Sequence, residues 1–511
     1  VKIIHNSQFD LSFLMYRFPC RPKNIWDSML VERVIFNGQN LGNALDEVAA
    51  RRLGVLLNKE TRESFIGYEG ELTEEQCQYL EQDVIHLPAI MESQKKDIAE
   101  RGLGKIVSLE NGVAVPIAEM NIAGIGFDLT LWDETQKQIE DVLGALNQQL
   151  LDLLGDEFFI EVERTKKGEK YTQKIVLNDI NLGSHAQLKV VLHKLGMKVQ
   201  NTARPTLERY SEKSEFVAQL LEYKRWLKMS TWHWDDMINP ATHRIHPDWN
   251  QIGTITGRLS SNIQQVPRPS PGRPNMRNLF RPKENHKFII IDYGQQEPRI
   301  LSFVSQDRKM IEAANEKDIY IAFARAIWNE EIEKKDPRRQ LAKMGVLATT
   351  YGGSPDGLAP KLGITVDECF EFQQAVKRAF PTAYAWGNNQ LRIAKSRGYV
   401  TSVLGRRAYF PDIRTKKDWQ IANDARNYPI QMTGADLLKA STIRISNIIE
   451  EHKFDACVVL MYHDEVVLSV NKDHGEDLFV LATDAMQKVG SEMCPGVLFP
   501  VEGKLSDQWD H

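Results

Sequence analysis

Cysteine is scarce in this chain: five occur in 511 residues, at Cys20, Cys77, Cys369, Cys457 and Cys494. None forms a CxxC pair and the count is odd. That pattern argues against a disulfide framework or a thiolate zinc site and reads as reduced core residues of a cytoplasmic protein. Long apolar runs are missing too. A stretch such as Phe288 to Ile291 ends at Asp292, far short of the roughly 20 residues a helix needs to cross a bilayer. Neither sign of charge dominates, with 64 Lys+Arg against 69 Asp+Glu and a formal net charge of −5. A global attraction to nucleic acid is thereby excluded, so such a partner would need a local basic lining. No signal peptide, low-complexity tract or internal repeat is visible. What remains is a mixed chain long enough for roughly two or three domains with substantial cores.

The most informative stretch is RRQLAKMGVLATTYGG. Arg339, Lys343, Leu347 and Tyr351, the last followed by Gly352, recur every fourth residue. On an α-helix that spacing advances about 6 Å and 40° per step, so these side chains form a slowly turning stripe. Two cations a turn apart suit a polyphosphate: a guanidinium grips a terminal phosphate bidentately, and an ammonium stands beside it as a mobile point charge. Tyr351 could stack on a base. By itself such a stripe is equally a solvated helix face.

Two further segments bear on that choice. In KFIIIDYGQQEPRIL, Lys287 to Ile291 reads as a short buried strand that delivers Asp292 to its end. In DACVVLMYHDEVVLSV, apolar runs flank His463, Asp464 and Glu465, the pattern of a β-hairpin whose tight turn presents His463 and Asp464. A lone acid at a strand turn is usually turn chemistry. Two of them beside a helix suited to a triphosphate match metal-assisted phosphoryl transfer, in which two ions roughly 3.5–4 Å apart flank the reacting phosphorus. Aspartates are the hard oxygen ligands that Mg²⁺ prefers.

With these residues in view, the chain resembles the family A (polymerase I class) DNA polymerases over almost its whole length. Asp292 to Arg299 (DYGQQEPR) is similar to the family's first palm motif, Tyr462 to Glu465 (YHDE) to its last, and the Arg339–Tyr351 stripe to its fingers helix. Thr256 to Ser261 (TGRLSS), with Asn262, Gln264 and Pro267, resembles the segment that follows primer and template. Gly398-Tyr399-Val400, Gly405-Arg406-Arg407 and Asn427 to Gln431 (NYPIQ) continue the match in family order, as does the thumb-like stretch from Leu220 to Thr231.

The resemblance implies an α/β (α+β) right-hand polymerase with palm, fingers and thumb, preceded by a partial ribonuclease H-like exonuclease domain. The expected layout is 1–98 for the exonuclease-like part and 99–511 for the polymerase, with the thumb at about 185–245, the fingers at about 308–397 and the palm in the remainder. It implies template-directed addition of deoxynucleotides to a primer 3′-hydroxyl, with release of pyrophosphate and two Mg²⁺ ions as cofactors. Asp292 and Asp464 would be metal ligands, joined by the Tyr293 carbonyl, with Glu465 as a supporting group. Arg339 would bind the outer phosphates, and Lys343 the inner ones, donating a proton to pyrophosphate. Gln295, Glu297, Leu347, Tyr351 and His463 complete the nucleotide site, Glu297 by excluding a ribose hydroxyl and His463 by contacting the primer-terminal phosphate. Arg258, Asn262, Gln264, Asn427, Gln431 and the thumb's Lys228 would hold primer and template. Three of these, Arg258, Asn427 and Gln431, suit minor-groove acceptors that all base pairs share.

Departures from the family pattern are Leu347 in place of an aromatic residue, Gln265 where asparagine is common, and Pro298 between Glu297 and Arg299. The four arginines Arg268, Arg273, Arg277 and Arg281 suit a path along the DNA backbone. A linker-like stretch runs from Arg101 to Gly104, a long helical hairpin is expected over 206–239, and palm strands near 287–292, 399–404, 456–462 and 465–470.

At the N-terminus, Val1 to Asp10 (VKIIHNSQFD) resembles the second motif of the 3′–5′ proofreading exonucleases, and Tyr79 to Asp83 (YLEQD) the third. Asp10, Tyr79 and Asp83 would be its vestigial site. Its first Asp-x-Glu motif is not found, so weak or absent proofreading is expected. Expected partners are primer-template DNA and deoxynucleoside triphosphates, with no membrane, for a monomeric enzyme. Short thumb-region spacings would suit a phage or phage-derived source. The alternatives are a single-subunit RNA polymerase-like enzyme, a catalytically inactive replication-associated DNA-binding protein, and a stand-alone exonuclease of the ribonuclease D kind.

Overall fold

The computed structural model describes residues 1–57, 59–166 and 169–510. The chain divides into two compact units. One comprises Val1–Gly126, Arg244–Arg268 and Phe280–His511, the other Phe127–His243 and Pro269–Leu279.

The first unit is built on a four-stranded antiparallel sheet, in the order Ala456–Tyr462, Glu465–Asn471, His286–Tyr293, Val501–Ser506. Phe288 to Ile291 are at most 1% exposed. A strand covered on both faces has no polar side, and for this reason the run is continuous and not alternating. The central helix Asp418–His452 carries Pro429 inside it, where the Thr433 hydroxyl donates to the Pro429 carbonyl at 2.7 Å. The helix Gly475–Met493 packs against the sheet and that helix, and Gln296–Ser305 packs against that helix. Pro298 fits because it is the third residue of its helix, within the first turn, where N–H groups have no intrahelical partner.

Two expectations change. Arg101 to Gly104 is no linker: Gly102 ends the helix Leu87–Arg101 in a left-handed conformation, Leu103 is fully buried, and the helix Gly104–Ala123 starts at once. Tyr399–Thr401 lies outside the main sheet and pairs with Arg407–Tyr409 as a separate hairpin, and the final strand Val501–Ser506 takes the sheet edge instead. In the second unit, the stretch over 206–239 forms two helices, Arg204–Ser211 and Glu215–Ser230, the second opened by a Ser214 cap. That unit begins at Phe127 and includes the helix Leu129–Leu154 and the hairpin Phe159–Lys166/Glu169–Val176. Its core gathers Leu150, Leu188, Val191 and Leu220. Six helices fill 308–397, as its helical pattern predicts.

Among the described residues no helix is long and apolar enough to cross a membrane.

Candidate active site

Asp292 stands one residue before the end of the strand His286–Tyr293. Its register partners are Glu465 on one neighbouring strand and Glu502 on the other. Directly opposed residues of antiparallel strands share a face, and like charges so placed repel. Glu465 is 3% exposed and its carboxylate accepts the Trp509 indole N–H at 2.7 Å, which suits the supporting role expected of it. Asp464 precedes it in a two-residue turn between Tyr462 and Glu465, with His463 in a left-handed conformation at φ 56°. Through that turn the two aspartates are neighbours: the Tyr293 N–H donates to the Asp464 carbonyl at 3.4 Å. Burial raises the Asp464 carboxyl above the usual carboxylate range, and its own backbone N–H, His463 and Arg268 do not cancel that rise. Asp292 and Asp464 are hard oxygen donors of the kind Mg²⁺ takes, but among the described residues no group of three or more His, Cys, Asp or Glu side chains, here or elsewhere, could hold a metal ion.

A cavity of about 470 Å³ opens over these strand ends. Its walls include Arg258, Arg268, Gln295, Glu297, Leu347, His463 and Asp464, as expected, together with Tyr320. Glu297 is ion-paired with Arg258 at 3.3 Å. The Gln295 side-chain Oε1 accepts the Ile319 N–H at 3.2 Å and a guanidinium N–H of Arg299 at 3.3 Å, so this side chain orients neighbouring protein as well as lining the cavity.

The stripe lies on the helix Pro337–Thr350. Pro337 opens it, and the Asp336 carboxylate caps the Arg338 N–H at 2.8 Å. Lys343 is exposed. Arg339 is held by Asp318 at 2.8 Å, with its guanidinium 5.9 Å from the Tyr320 ring centre. Tyr351 caps the helix, and its carbonyl accepts from Arg426 at 3.1 Å. Burial pushes its phenol well above the ordinary value and the charge of Glu297 adds to this.

Among the expected primer and template contacts, Asn427 and Gln431 lie one turn apart on the helix Asp418–His452. Gln264 donates to the Met461 carbonyl at 3.4 Å, and the exposed Asn262 caps the Ile263 N–H at 3.0 Å. Lys228 belongs to the second unit and is exposed on the helix Glu215–Ser230. The four arginines divide between the two units and meet different partners. Arg273 grips Glu222 at 2.6 and 2.8 Å, Arg277 is 2% exposed, and Arg281 reaches the Gln508 side chain at 3.3 Å. Only Arg268 faces the cavity.

At the N-terminus, Lys2–Ile4 pairs in parallel with Ile25–Asp27. Asp10 is exposed on the helix Ser7–Arg17; its carboxyl is raised by partial burial and by the charge of Asp27. Asp83, on the helix Glu74–Ile85, is hydrogen-bonded to Tyr79 and is likewise raised by burial. The Asp27 carboxylate is occupied by the backbone N–H groups of Asn6, Ser7, Met29 and Leu30.

A family model described as DNA polymerase family A matches residues 149–511. The chain belongs to the family A DNA polymerases. A second model, described as 3′-5′ exonuclease, matches residues 1–98 of this family A chain. The thermostable DNA polymerase I of Thermus thermophilus is 28% identical over 80% of the chain and 49% of the relative. DNA polymerase I of Geobacillus stearothermophilus is 31% identical over 75% of the chain and 44% of its own length. The chain thus spans about half the length of these relatives, whereas with DNA polymerase I of Aquifex aeolicus the 28% identity covers 99% of the chain and 87% of the relative. Among solved structures, the POL domain of Pol1 from M. smegmatis, in complex with DNA primer-template and dNTP, superposes with a TM-score of 0.84 over 99% of this chain and 85% of that one. At 23% identity that likeness establishes the fold. All these relatives are bacterial, and none supports a phage-like source.

Sequence reasoning gave no role to three residues whose contacts the structure shows near the cavity. Tyr320 lines the cavity, and burial and the charge of Glu297 push its phenol up to about 12. Asp318 holds Arg339 while also capping its own helix, Ile319–Trp328. Arg299, fully buried, donates to the carbonyls of Gly294 and Leu498 at 3.0 Å each and to that of Ala314. The first two lie in a segment, KDIYIAFARAIW, that reads only as an amphipathic helix, and the arginine's partners are distant in sequence.

Proposed function

We propose that this chain is a template-directed DNA polymerase that adds deoxynucleotides to a primer 3′-hydroxyl. The observation that carries this reading is the placement of Asp292 and Asp464 on adjoining strand ends, with a cavity of about 470 Å³ lined by Asp464 and by Leu347 of a basic helix. The palm is assigned to the four-stranded sheet and its helices, the fingers to the helices of 308–397, and the thumb to the second unit from about 185.

The side chains divide the work. Asp292 and Asp464, with the Tyr293 carbonyl, would hold two Mg²⁺ ions, which when bound supply charge neutralisation at the attacking and leaving oxygens. Arg339 grips the outer phosphates once they displace Asp318. Lys343 meets the inner phosphates and hands a proton to pyrophosphate as it leaves. Glu297 closes the space a 2′-hydroxyl would need and so favours deoxynucleotides over ribonucleotides. Arg258, Asn427 and Gln431 test pair shape from the minor groove. For residues 1–98 we propose that Asp10 and Asp83 do not by themselves hold two metal ions, since Asp27 is committed to backbone N–H groups.

Primer extension on a primed single-stranded template with Mg²⁺ tests this, comparing deoxy- with ribonucleotides for the chain and its Asp464→Ala variant. Template-matched addition of deoxynucleotides, lost in the variant, is expected. Addition that survives the substitution would displace the site, and equal use of ribonucleotides would point to RNA synthesis.

A further inference from the structure

Four of the fully buried charges of the first unit meet in one cluster: Glu110, Arg406, Asp436 and Lys439. Glu110 comes from the helix Gly104–Ala123, Asp436 and Lys439 from the helix Asp418–His452, and Arg406 from the turn before the strand Arg407–Tyr409. Lys439 donates to both Glu110 carboxylate oxygens at 2.7 and 2.9 Å. Arg406 binds Asp436 at 2.8 Å through Nε and also reaches Glu110 through Nη2. The Ser402 hydroxyl adds a bond to Asp436 at 2.7 Å. The charges balance, two of each sign.

Stability does not explain them. Desolvating charges is costly, and apolar replacement of such clusters is often no less stable. What the cluster touches is more telling. Lys439 donates to the Gln251 carbonyl at 2.8 Å, and the Gln251 amide donates back to the Glu110 carboxylate at 2.6 Å. Gly257, at φ +73°, lies flat against Arg406, since a Cβ there would fall 2.7 Å from the guanidinium carbon. The Nη1 of Arg406 beneath it has no hydrogen-bond partner, so the contact is one of shape.

Gln251 and Gly257 are two points of one small loop. Asn250 and Ser260 close it with a pair of backbone bonds at 2.8 and 3.0 Å. The Gly253 N–H donates to the Arg258 carbonyl at 3.0 Å and the Arg258 N–H to the Thr254 hydroxyl at 3.1 Å. A loop pinned beneath both ends leaves little freedom to the residue it presents, Arg258, which faces the cavity and pairs with Glu297.

We propose that Glu110, Arg406, Asp436 and Lys439 are positioning residues for nucleotide selection: the cluster fixes the loop Gln251–Ser260 so that Arg258 meets Glu297 and the nascent pair in one geometry. This rests on the polymerase reading above. Rigid placement matters because an arginine free to follow a distorted pair would accept it as readily as a matched one.

The test uses the full chain in two measurements. The first is hydrogen exchange of the peptide spanning 250–260. In the charge-balanced variant Glu110→Gln/Lys439→Met it should exchange at least about tenfold faster while the helices keep their protection. The second is extension of matched against mismatched primer ends. Discrimination should fall about tenfold in that variant and similarly in Arg258→Ala, with no further fall when the two are combined. Should the charge variant fail to fold, Gln251→Leu removes the amide's bonds to Glu110, leaves the Lys439 bond to the backbone carbonyl, and keeps all four charges paired. Unchanged exchange of the loop in a folded variant overturns the proposal whatever the activity. So do multiplying effects in the combined variant, which a merely structural role would give. Absence of extension by the parent chain would instead overturn the polymerase reading, and the exchange result would stand apart from it.

Discussion

Replacing Arg299 by methionine should destabilise the first unit and impair the catalytic turn together. The guanidinium is fully buried and is surrounded by backbone carbonyls: Gly294 and Leu498 at 3.0 Å, Ala314, and more weakly Glu316 at 3.4 Å. No carboxylate is paired with it in the same sense, and burial lowers its pKa to about 10. Methionine fills similar volume and avoids the desolvation cost, so the charge itself is a small loss. The orphaned carbonyls are the main term. Three well-formed acceptors left unpaired at roughly 1 kcal/mol each give a destabilisation of about 3 kcal/mol. For a unit of roughly 380 residues that is a fall in Tm of about 4 °C. The Gly294 carbonyl follows Asp292 by two residues, so loosening it should also lower kcat by about tenfold or more. Calorimetry of parent and variant, with steady-state incorporation on the same preparations, measures both. A Tm within about 1 °C of the parent together with an unchanged kcat would refute the reasoning, because it would mean that water or a rearranged turn satisfies the carbonyls.

Tyr320→Ala should raise the KM for deoxynucleotides several-fold by opening the cavity wall beside Leu347, and Leu347→Phe should recover part of that loss; steady-state kinetics of the two variants and their combination decide it. Glu297→Ala removes the partner of Arg258 and the group expected to exclude a 2′-hydroxyl, so discrimination against ribonucleotides should fall by at least about tenfold; no change in competing incorporation would remove Glu297 from the role. Asp318→Asn frees Arg339 from its ion pair at 2.8 Å, and the triphosphate KM should drop about two- to threefold, whereas a rise would mean that Asp318 holds the arginine in its productive place. In the second unit, burial raises the Glu222 carboxyl but its bonds and charge contact with Arg273 prevail and hold it below the usual range. The contribution is therefore present above the ordinary glutamate value of about 4.3 and is lost as pH falls through the depressed one. Glu222→Gln should cost roughly 1 kcal/mol at neutral pH, after allowing for solvent screening, and almost nothing in strong acid.

Much of the site was legible because its chemistry is local. The spacing of Arg339, Lys343, Leu347 and Tyr351 follows from one helix, and the turn at His463-Asp464 from two apolar runs that can only fold back on each other. Short-range geometry of this kind is written into the order of residues, as is the buried strand that ends at Asp292. The row of arginines from Arg268 to Arg281 shows the limit. Their sequence promises a basic path, yet Arg273 is taken by Glu222 and Arg277 is withdrawn from solvent, because a cation's role depends on which anion the fold brings to it. The same reason hides Asp318 as the keeper of Arg339, Glu502 as the neighbour of Asp292, and the cluster that joins Glu110 to Lys439 across 329 positions. Sequence alone determined which groups could do chemistry and on what element each would sit. Tertiary structure decided which charges remain available for a substrate, since pairing between distant segments is set by packing and leaves no periodic trace along the chain.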